Sequence, residues 1–288
     1  AAGGSLAAPA SLNPILEMKL TEVMTEPLPE TDGHTIGLDA LEPLLRLAEG
    51  KTAVAIGPGL GTHPATQQLV RALLARLRLP MVVDADGLNA LAGEPESLGR
   101  AAGPLVLTPH PGEYARLLGV PRSEMLADRI RLVRETAARF RLTLVLKMAR
   151  TLVADSHGTL AVVPTGNPGM ATGGTGDVLT GLIAGLIAQG IAPAESARAG
   201  AVPRHVHVHS TDEIGTLAHA FNAMATALTD AQEDLLTAAK FAFVGEVAAG
   251  IAHEVRTPLG IMRGSAQILA RGVPADQPQT LELAEMIV

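Results

Sequence analysis

The chain has 288 residues, with 22 basic and 29 acidic side chains and a formal charge of −7, a length that suits one large domain or two smaller ones. This acidic balance gives no electrostatic footprint for nucleic acid or an anionic membrane. The absence of cysteine excludes disulfide frameworks, thiol nucleophiles and thiolate metal sites, and 47% apolar residues exclude global disorder.

In chain order, the opening AAGGSLAAPASLN lacks basic residues ahead of an apolar run and does not read as a signal peptide. Strands are expected at residues 52–56, 81–83, 105–107, 142–146, 151–154 and 160–163, and helices at 65–77, 113–118, 123–140, 177–189 and 193–201. Alternating strands and helices predict an α/β domain with a largely parallel sheet, and continuous apolar runs such as MVV and LVL suit strands covered on both faces. Residues 178–192 form the longest apolar stretch. Thr180, Gln189 and glycines interrupt it, and it falls short of the ~20 residues a span needs. A cytoplasmic protein without a membrane segment is expected.

Ligands of such sheets gather at the carboxyl ends of strands. Standing there are GPGLG (57–61), DAD (84–86), TPHPGE (108–113) and Lys147. GPGLG is neither GxGxxG nor a Walker A loop, because Thr62 follows and no Lys-Ser/Thr does. His110 suits a substrate polar group or a structural role, and Lys147 suits a phosphate or plain solvation. The segment GNPGMATGGTGDVLTGLIAGL (166–186) says most. Gly173, Gly174 and Gly176 let backbone amides turn toward one point where a helix starts, which makes a ready anion site. Asp177, in that first turn, is placed either to take a proton from a hydroxyl beside the phosphate or merely to favour the helix dipole.

From Thr211 onward the texture changes: ten acids face four bases, against 19 and 18 before it. Ile214, Leu217, Phe221, Met224 and Leu228, and then the series from Phe241 through Val244, Ala248, Ile251 and Val255, follow heptad spacing and predict long helices with one buried stripe. In that frame His253 falls at the outermost position, free for phosphoryl transfer, with Glu254 beside it to orient the imidazole or accept its proton.

GPGLGTHP, DADGLNAL, LTPHPGEYARLLG, LKxxxT and GNPGMATGGTGDVLTGLI, in that order, resemble the NAD(P)H-hydrate dehydratase family over about residues 11–200. The resemblance implies a ribokinase-like three-layer α/β/α core. It also implies ATP- or ADP-dependent dehydration, with Mg²⁺, of the (S)-hydrate of NADH or NADPH, in which phosphorylation makes the ring hydroxyl a leaving group. By the same resemblance Gly61, His110 and Asp177 contact substrate, Asp177 being catalytic. Lys147, Met148, Ala149, Arg150 and Thr151, with Gly174, Thr175 and Gly176, contact the nucleotide. This chain reads KMART where the family has a Gly-rich loop, which places Met148 and Arg150 at the nucleotide. It also reads as trimmed at both ends, without the family's first strand and closing helix.

DEIGTLAHAFNAM (212–224) resembles the second helix of a HAMP linker, and GEVAAGIAHEVRTPLGIMRGSAQIL (245–269) resembles the phosphoacceptor helix of sensor histidine kinases. That resemblance implies an all-α helical hairpin fragment, His253 as phosphoacceptor, a homo-oligomer through the C-terminal helices, and a response regulator or separate kinase domain as partner. His205, His207 and His209 suit metal ligands on a strand face but match the HAMP connector, so no metal site is assigned. The expected domains are 1–203 (dehydratase-like), 204–232 (partial HAMP) and 233–288 (phosphoacceptor fragment).

Overall fold

The computed structural model describes residues 4–164 and 173–201, together with Gln267. The HAMP and heptad helices, the histidines at 205, 207 and 209, His253 and Glu254 lie outside the described residues. The chain divides into two compact units, Ala1–His207 and Val208–Val288. All the described residues except Gln267 belong to the first.

The first unit opens with β1 (Ser5–Pro9), α1 (Asn13–Lys19) and β2 (Met24–Leu28), the two strands forming a separate parallel pair. After α2 (Leu41–Leu47) come β3 (Val54–Ile56), α3 (Pro64–Arg76), β4 (Met81–Val83), α4 (Ala85–Asn89) and β5 (Leu105–Leu107). Then follow α5 (Pro111–Leu118), α6 (Arg122–Ala127), α7 (Arg129–Phe140), β6 (Thr143–Leu146), β7 (Thr151–Ala154) and β8 (Leu160–Val163). Helices α8 (Thr175–Ala188) and α9 (Pro193–Ala201) close it. The main sheet runs β3-β4-β5-β6-β7-β8, parallel from β3 to β6 and antiparallel through β7 and β8.

The period of two along each strand sorts the core into two layers. Val82, Val106, Val145, Val153 and Val163 point to one face and pack with Ile183 and Ile187 of α8 and Ala197 of α9. The alternate residues, Val83, Leu107, Leu144, Leu146 and Leu152 among them, point to the other and meet Leu69 and Leu73 of α3, Leu117 of α5 and Val133 of α7. β-branched residues line the face under α8 and α9, and longer aliphatics fill the other. Both faces are covered, as the apolar runs predict, and the three-layer arrangement implied by the resemblance is present.

Tyr114 anchors α5 inside the second layer. It is fully buried and donates its hydroxyl to Thr136 Oγ1 at 2.8 Å. Burial pushes its phenol up to about 12 from the ordinary 10.0. A folded value above the unfolded one means that this stabilisation is complete below pH ~10 and drains away as pH climbs through ~12, at most ~1.4 kcal/mol per unit. The chain has one tyrosine and no tryptophan, so tyrosinate absorbance reports this residue alone. It should appear together with alkaline unfolding, well above pH 10. A reversible titration centred at 10 in the folded protein would contradict the burial.

Candidate functional site

The carboxyl ends of β3 to β6 bring the sequence motifs to one edge. Beyond β4, Asp84 is 1% exposed. The strand's alternation explains its direction: Val82 faces α8, so Asp84, two residues on, faces α8 too. Val145 and Lys147 repeat the pattern from β6. The two side chains meet, Lys147 Nζ donating to Asp84 Oδ1 at 2.5 Å, while Asp84 Oδ2 accepts from Thr180 Oγ1 at 2.8 Å. Both oxygens of this buried carboxylate are therefore engaged, and one acid ties the end of β6 to α8.

Above this pair stands the tip of α8. Gly174 is the N-cap at φ +88, a conformation that costs a side chain ~1–2 kcal/mol, and it brings no side-chain cap of its own. Gly176 stands directly over the ion pair: a Cβ there would lie 3.3 Å from Lys147 Nζ and 3.4 Å from Asp84 Oδ2, a tight fit that a shift of the lysine end by a few tenths of an ångström would relieve. Any side chain at 176 would fill the notch between the helix tip and the ion pair. The buried stripe of α8 is Thr180, Ile183 and Ile187, and Asp177 falls off that stripe and is exposed. Asp177 makes no hydrogen bond or ion pair with any described residue.

The loop after β6 starts where Lys147 N donates to Pro109 O at 2.8 Å, which joins it to the loop bearing His110. Thr151 donates its hydroxyl to Met148 O at 3.3 Å and closes the turn. Met148 is partly buried and packs against the core, while Ala149 and Arg150 are the loop's exposed side chains.

His110 caps α5. Its Nδ1 accepts from Gly112 N at 2.9 Å and Glu113 N at 3.4 Å, while Glu113 Oε2 accepts from His110 N at 2.8 Å. An Nδ1 that accepts two amides carries no proton, so the ring proton sits on Nε2. The ring is half exposed and offers that Nε2–H outward, near Glu113 Oε1 at 3.4 Å. The structural role and the donor role are therefore compatible. Gly61 donates its amide to Asp86 Oδ2 at 2.9 Å. Asp86 Oδ1 accepts from Asn89, whose Oδ1 accepts from Arg116 Nη2 at 3.1 Å.

Two assemblies result: Lys147, Asp84, Thr180 and Gly176 on one side, and Gly61, Asp86, Asn89 and Arg116 beside His110 on the other. Ala85 joins them at φ +45, a left-handed conformation rare outside glycine, which turns Asp84 and Asp86 to opposite tasks. Asp84 was expected at the ligand edge within DAD but was given no role, and Thr180 was not among the site residues expected from the sequence. The signal was an acid and an ammonium, each two residues past an inward valine on strands of one parallel sheet. A surface cavity beside β1, β2 and α2, lined by Glu17, Met24 and Lys51 among others, contains none of these residues. No described helix is long and apolar enough to cross a membrane.

The NAD(P)H-hydrate dehydratase family model matches residues 7–234, running past residue 200 across the HAMP-like stretch, and the His Kinase A (phospho-acceptor) model matches residues 243–287. The chain is 51% identical over 208 residues to the bifunctional NAD(P)H-hydrate repair enzyme Nnr of Moorella thermoacetica, covering 72% of this chain and 38% of that protein. It is 43% identical over 169 residues to the ADP-dependent (S)-NAD(P)H-hydrate dehydratase of Neisseria meningitidis serogroup B, covering 58% of this chain and 57% of that one. This chain thus spans about two fifths of the length of the bifunctional relatives. Among solved structures, the ADP/ATP-dependent NAD(P)H-hydrate dehydratase of Bacillus subtilis, co-crystallised with ATP/Mg²⁺ and soaked with CoA, is 29% identical. Its TM-score is 0.53, over 80% of this chain and 82% of that chain. The fold is therefore the expected ribokinase-like α/β architecture. With that match spanning most of the sequence, and its motifs gathered at one edge of the sheet, the chain belongs to the NAD(P)H-hydrate dehydratase family.

Proposed function

We propose that residues 1–203 dehydrate the (S)-hydrate of NADH or NADPH in an ADP- or ATP-dependent reaction, as a cytoplasmic cofactor-repair activity. The observation that carries this reading is the tip of α8: a glycine N-cap, Gly176 set closely over the Lys147–Asp84 pair, and next to it the Asp177 carboxylate, which has no partner among the described residues. These features fit a nucleotide's phosphates. Helix-tip amides attract anions, and Gly176 keeps their approach clear. When bound, the nucleotide supplies the phosphoryl group that makes the ring hydroxyl a leaving group.

The chain's own residues then have separable tasks. Gly174, Thr175 and Gly176 present backbone to the phosphates, and residues 147–151 flank the nucleotide. Lys147 sets the local positive charge from within its pair with Asp84. His110 offers Nε2–H to a polar group of the hydrate, and Gly61 and Asp86 shape the wall beside it. Asp177 takes the proton of the reacting hydroxyl. Among the described residues no three carboxylates or imidazoles converge on a cation site. Magnesium would arrive on the nucleotide's phosphates, the usual mode for that ion.

The test is ligand-induced stabilisation followed by turnover. ADP or ATP with Mg²⁺ at a hundredfold excess over its Kd should stabilise the protein by ~2.7 kcal/mol. NADH-hydrate should then regain dihydronicotinamide absorbance. Failure of both nucleotides to shift melting would sink the reading.

A second reading is favoured for the C-terminal part by the phospho-acceptor match at 243–287. Residues 204–232 act as a partial HAMP linker and 233–288 as a dimerising module that carries phosphate on His253. That phosphate comes from a separate kinase domain and passes to a response regulator. Labelling of His253 by an added kinase domain tests it, and a chain that takes no label removes it.

A further inference from the structure

Helix α8 enters the site without the usual means of fixing a helix start. Its N-cap is Gly174, which has no side chain to cap it. Gly176, Gly181 and Gly185 follow, and a Cβ at either of the last two would meet nothing within 4 Å. Each interior glycine gives up ~1 kcal/mol of helix propensity relative to alanine, so the first turns are not held by their own preference. Thr180, 2% exposed, is the first buried side chain along the helix. Its hydroxyl meets Asp84 Oδ2 at 2.8 Å, and Asp84 is rooted at the end of β4 and held on its other oxygen by Lys147.

Thr180 stands three residues after Asp177, about 60° short of a full turn. A helix with its side chains is ~10–12 Å across, so a carboxylate on its surface lies ~5 Å from the axis. A rotation of ~10° about that axis moves the carboxylate by ~1 Å, and a displacement of that size can cost ~10²-fold in rate.

We propose that Thr180, acting through Asp84, is a positioning residue for Asp177: the Lys147–Asp84–Thr180 chain fixes the rotation of α8 and so the place of the Asp177 carboxylate. This rests on the dehydratase reading above. The same chain sets the helix tip against the loop that begins at Lys147, so the phosphate-facing amides and the carboxylate are indexed to one buried oxygen pair. Val82, Val145, Ile183 and Ile187 supply apolar contact around it. Such contact holds the helix on the sheet but carries little directional information about its rotation.

The experiment compares Thr180→Val, Thr180→Cys and Thr180→Ser in the full chain, assayed below each variant's melting temperature. Valine keeps the shape and loses the donor, cysteine is a weak donor, and serine keeps the hydroxyl. Expected is a kcat about tenfold lower in Thr180→Val, intermediate in Thr180→Cys and within twofold of the parent in Thr180→Ser. KM for the nucleotide should change less than kcat, because the backbone amides lie ~2.3 Å from the helix axis and move under half as far as the carboxylate. Amide exchange at residues 175–179 should quicken in Thr180→Val, with and without ADP, and return to normal in Thr180→Ser. Unchanged kcat in a folded Thr180→Val, or equal losses in the valine and serine variants, would overturn the positioning role while leaving the dehydratase reading intact. A parent protein without turnover would remove that reading, and this proposal with it.

Discussion

Asp177→Asn is expected to lower turnover of NADH-hydrate by ~10²–10⁴-fold, the range for loss of a general base, while ADP still stabilises the protein as in the parent. The structure separates these two effects. Asp177 is exposed on the first turn of α8 and has no hydrogen-bond or ion-pair partner among the described residues. The amide therefore costs the fold only its share of the helix-dipole interaction, ~0.3–1 kcal/mol. Phosphate binding rests on backbone at 174–176, which the substitution does not alter, and it removes a negative charge from beside an anion. The measurement is kcat/KM paired with the ADP-induced thermal shift. Undiminished turnover with an intact shift would take Asp177 out of the chemistry. Asp84 lies under the same helix and cannot stand in for it, because both of its oxygens are already committed to Lys147 and Thr180. Two acids near one helix tip thus have opposite characters: one open to a reacting proton, the other occupied with holding the frame.

The sheet was legible because its strands are buried on both faces: β4 and β5 are three-residue apolar runs bounded by polar residues, and both lie where expected. Composition signalled β1 and β2 poorly. SLAAP and MTEPL hold alanine, proline and acid, and they are strands by virtue of pairing with each other rather than of propensity. Residues 123–140 read as one helix, since LADRIR contains no glycine or proline. The helix nevertheless breaks at Asp128, at φ −118 and ψ 24, where the carboxylate bonds Arg131 Nε instead of continuing the pattern. In the site, the glycines and His110 announced themselves by local geometry, which short sequence motifs encode. Lys147 was placed correctly at a strand end, but its partner was hidden. Asp84 and Lys147 are 63 residues apart, and only the register of β4, β5 and β6 sets them on the same face. Met148 shows the same limit. Its position in the loop was readable, whereas its inward direction depends on the core it meets.

Lys147→Met should be the most destabilising single change at this site, costing ~3–5 kcal/mol, and Asp84→Asn should be distinctly milder. The asymmetry follows from burial. Asp84 has a side chain 1% exposed and Lys147 one 22% exposed. Removing the ammonium leaves a full negative charge inside the protein with Thr180 as its remaining donor. Removing the carboxylate charge leaves an ammonium that reaches water by a small movement, and the oxygen of the introduced amide still accepts from Thr180. The double variant Asp84→Asn/Lys147→Met buries no charge at all, so it should recover most of what Lys147→Met loses. Urea unfolding of the parent, both single variants and the double measures the coupling. If the losses simply add, to within ~0.5 kcal/mol, the pair is not coupled and a stranded charge is not what makes Lys147→Met costly. Turnover should behave differently from stability. The double variant regains its fold without regaining rate, because the loop at Lys147 has lost its charge and α8 is pinned by a neutral, more weakly held amide. A buried pair that neutral replacement can relieve, at the expense of catalysis, has been kept for the geometry it imposes rather than for the stability it adds.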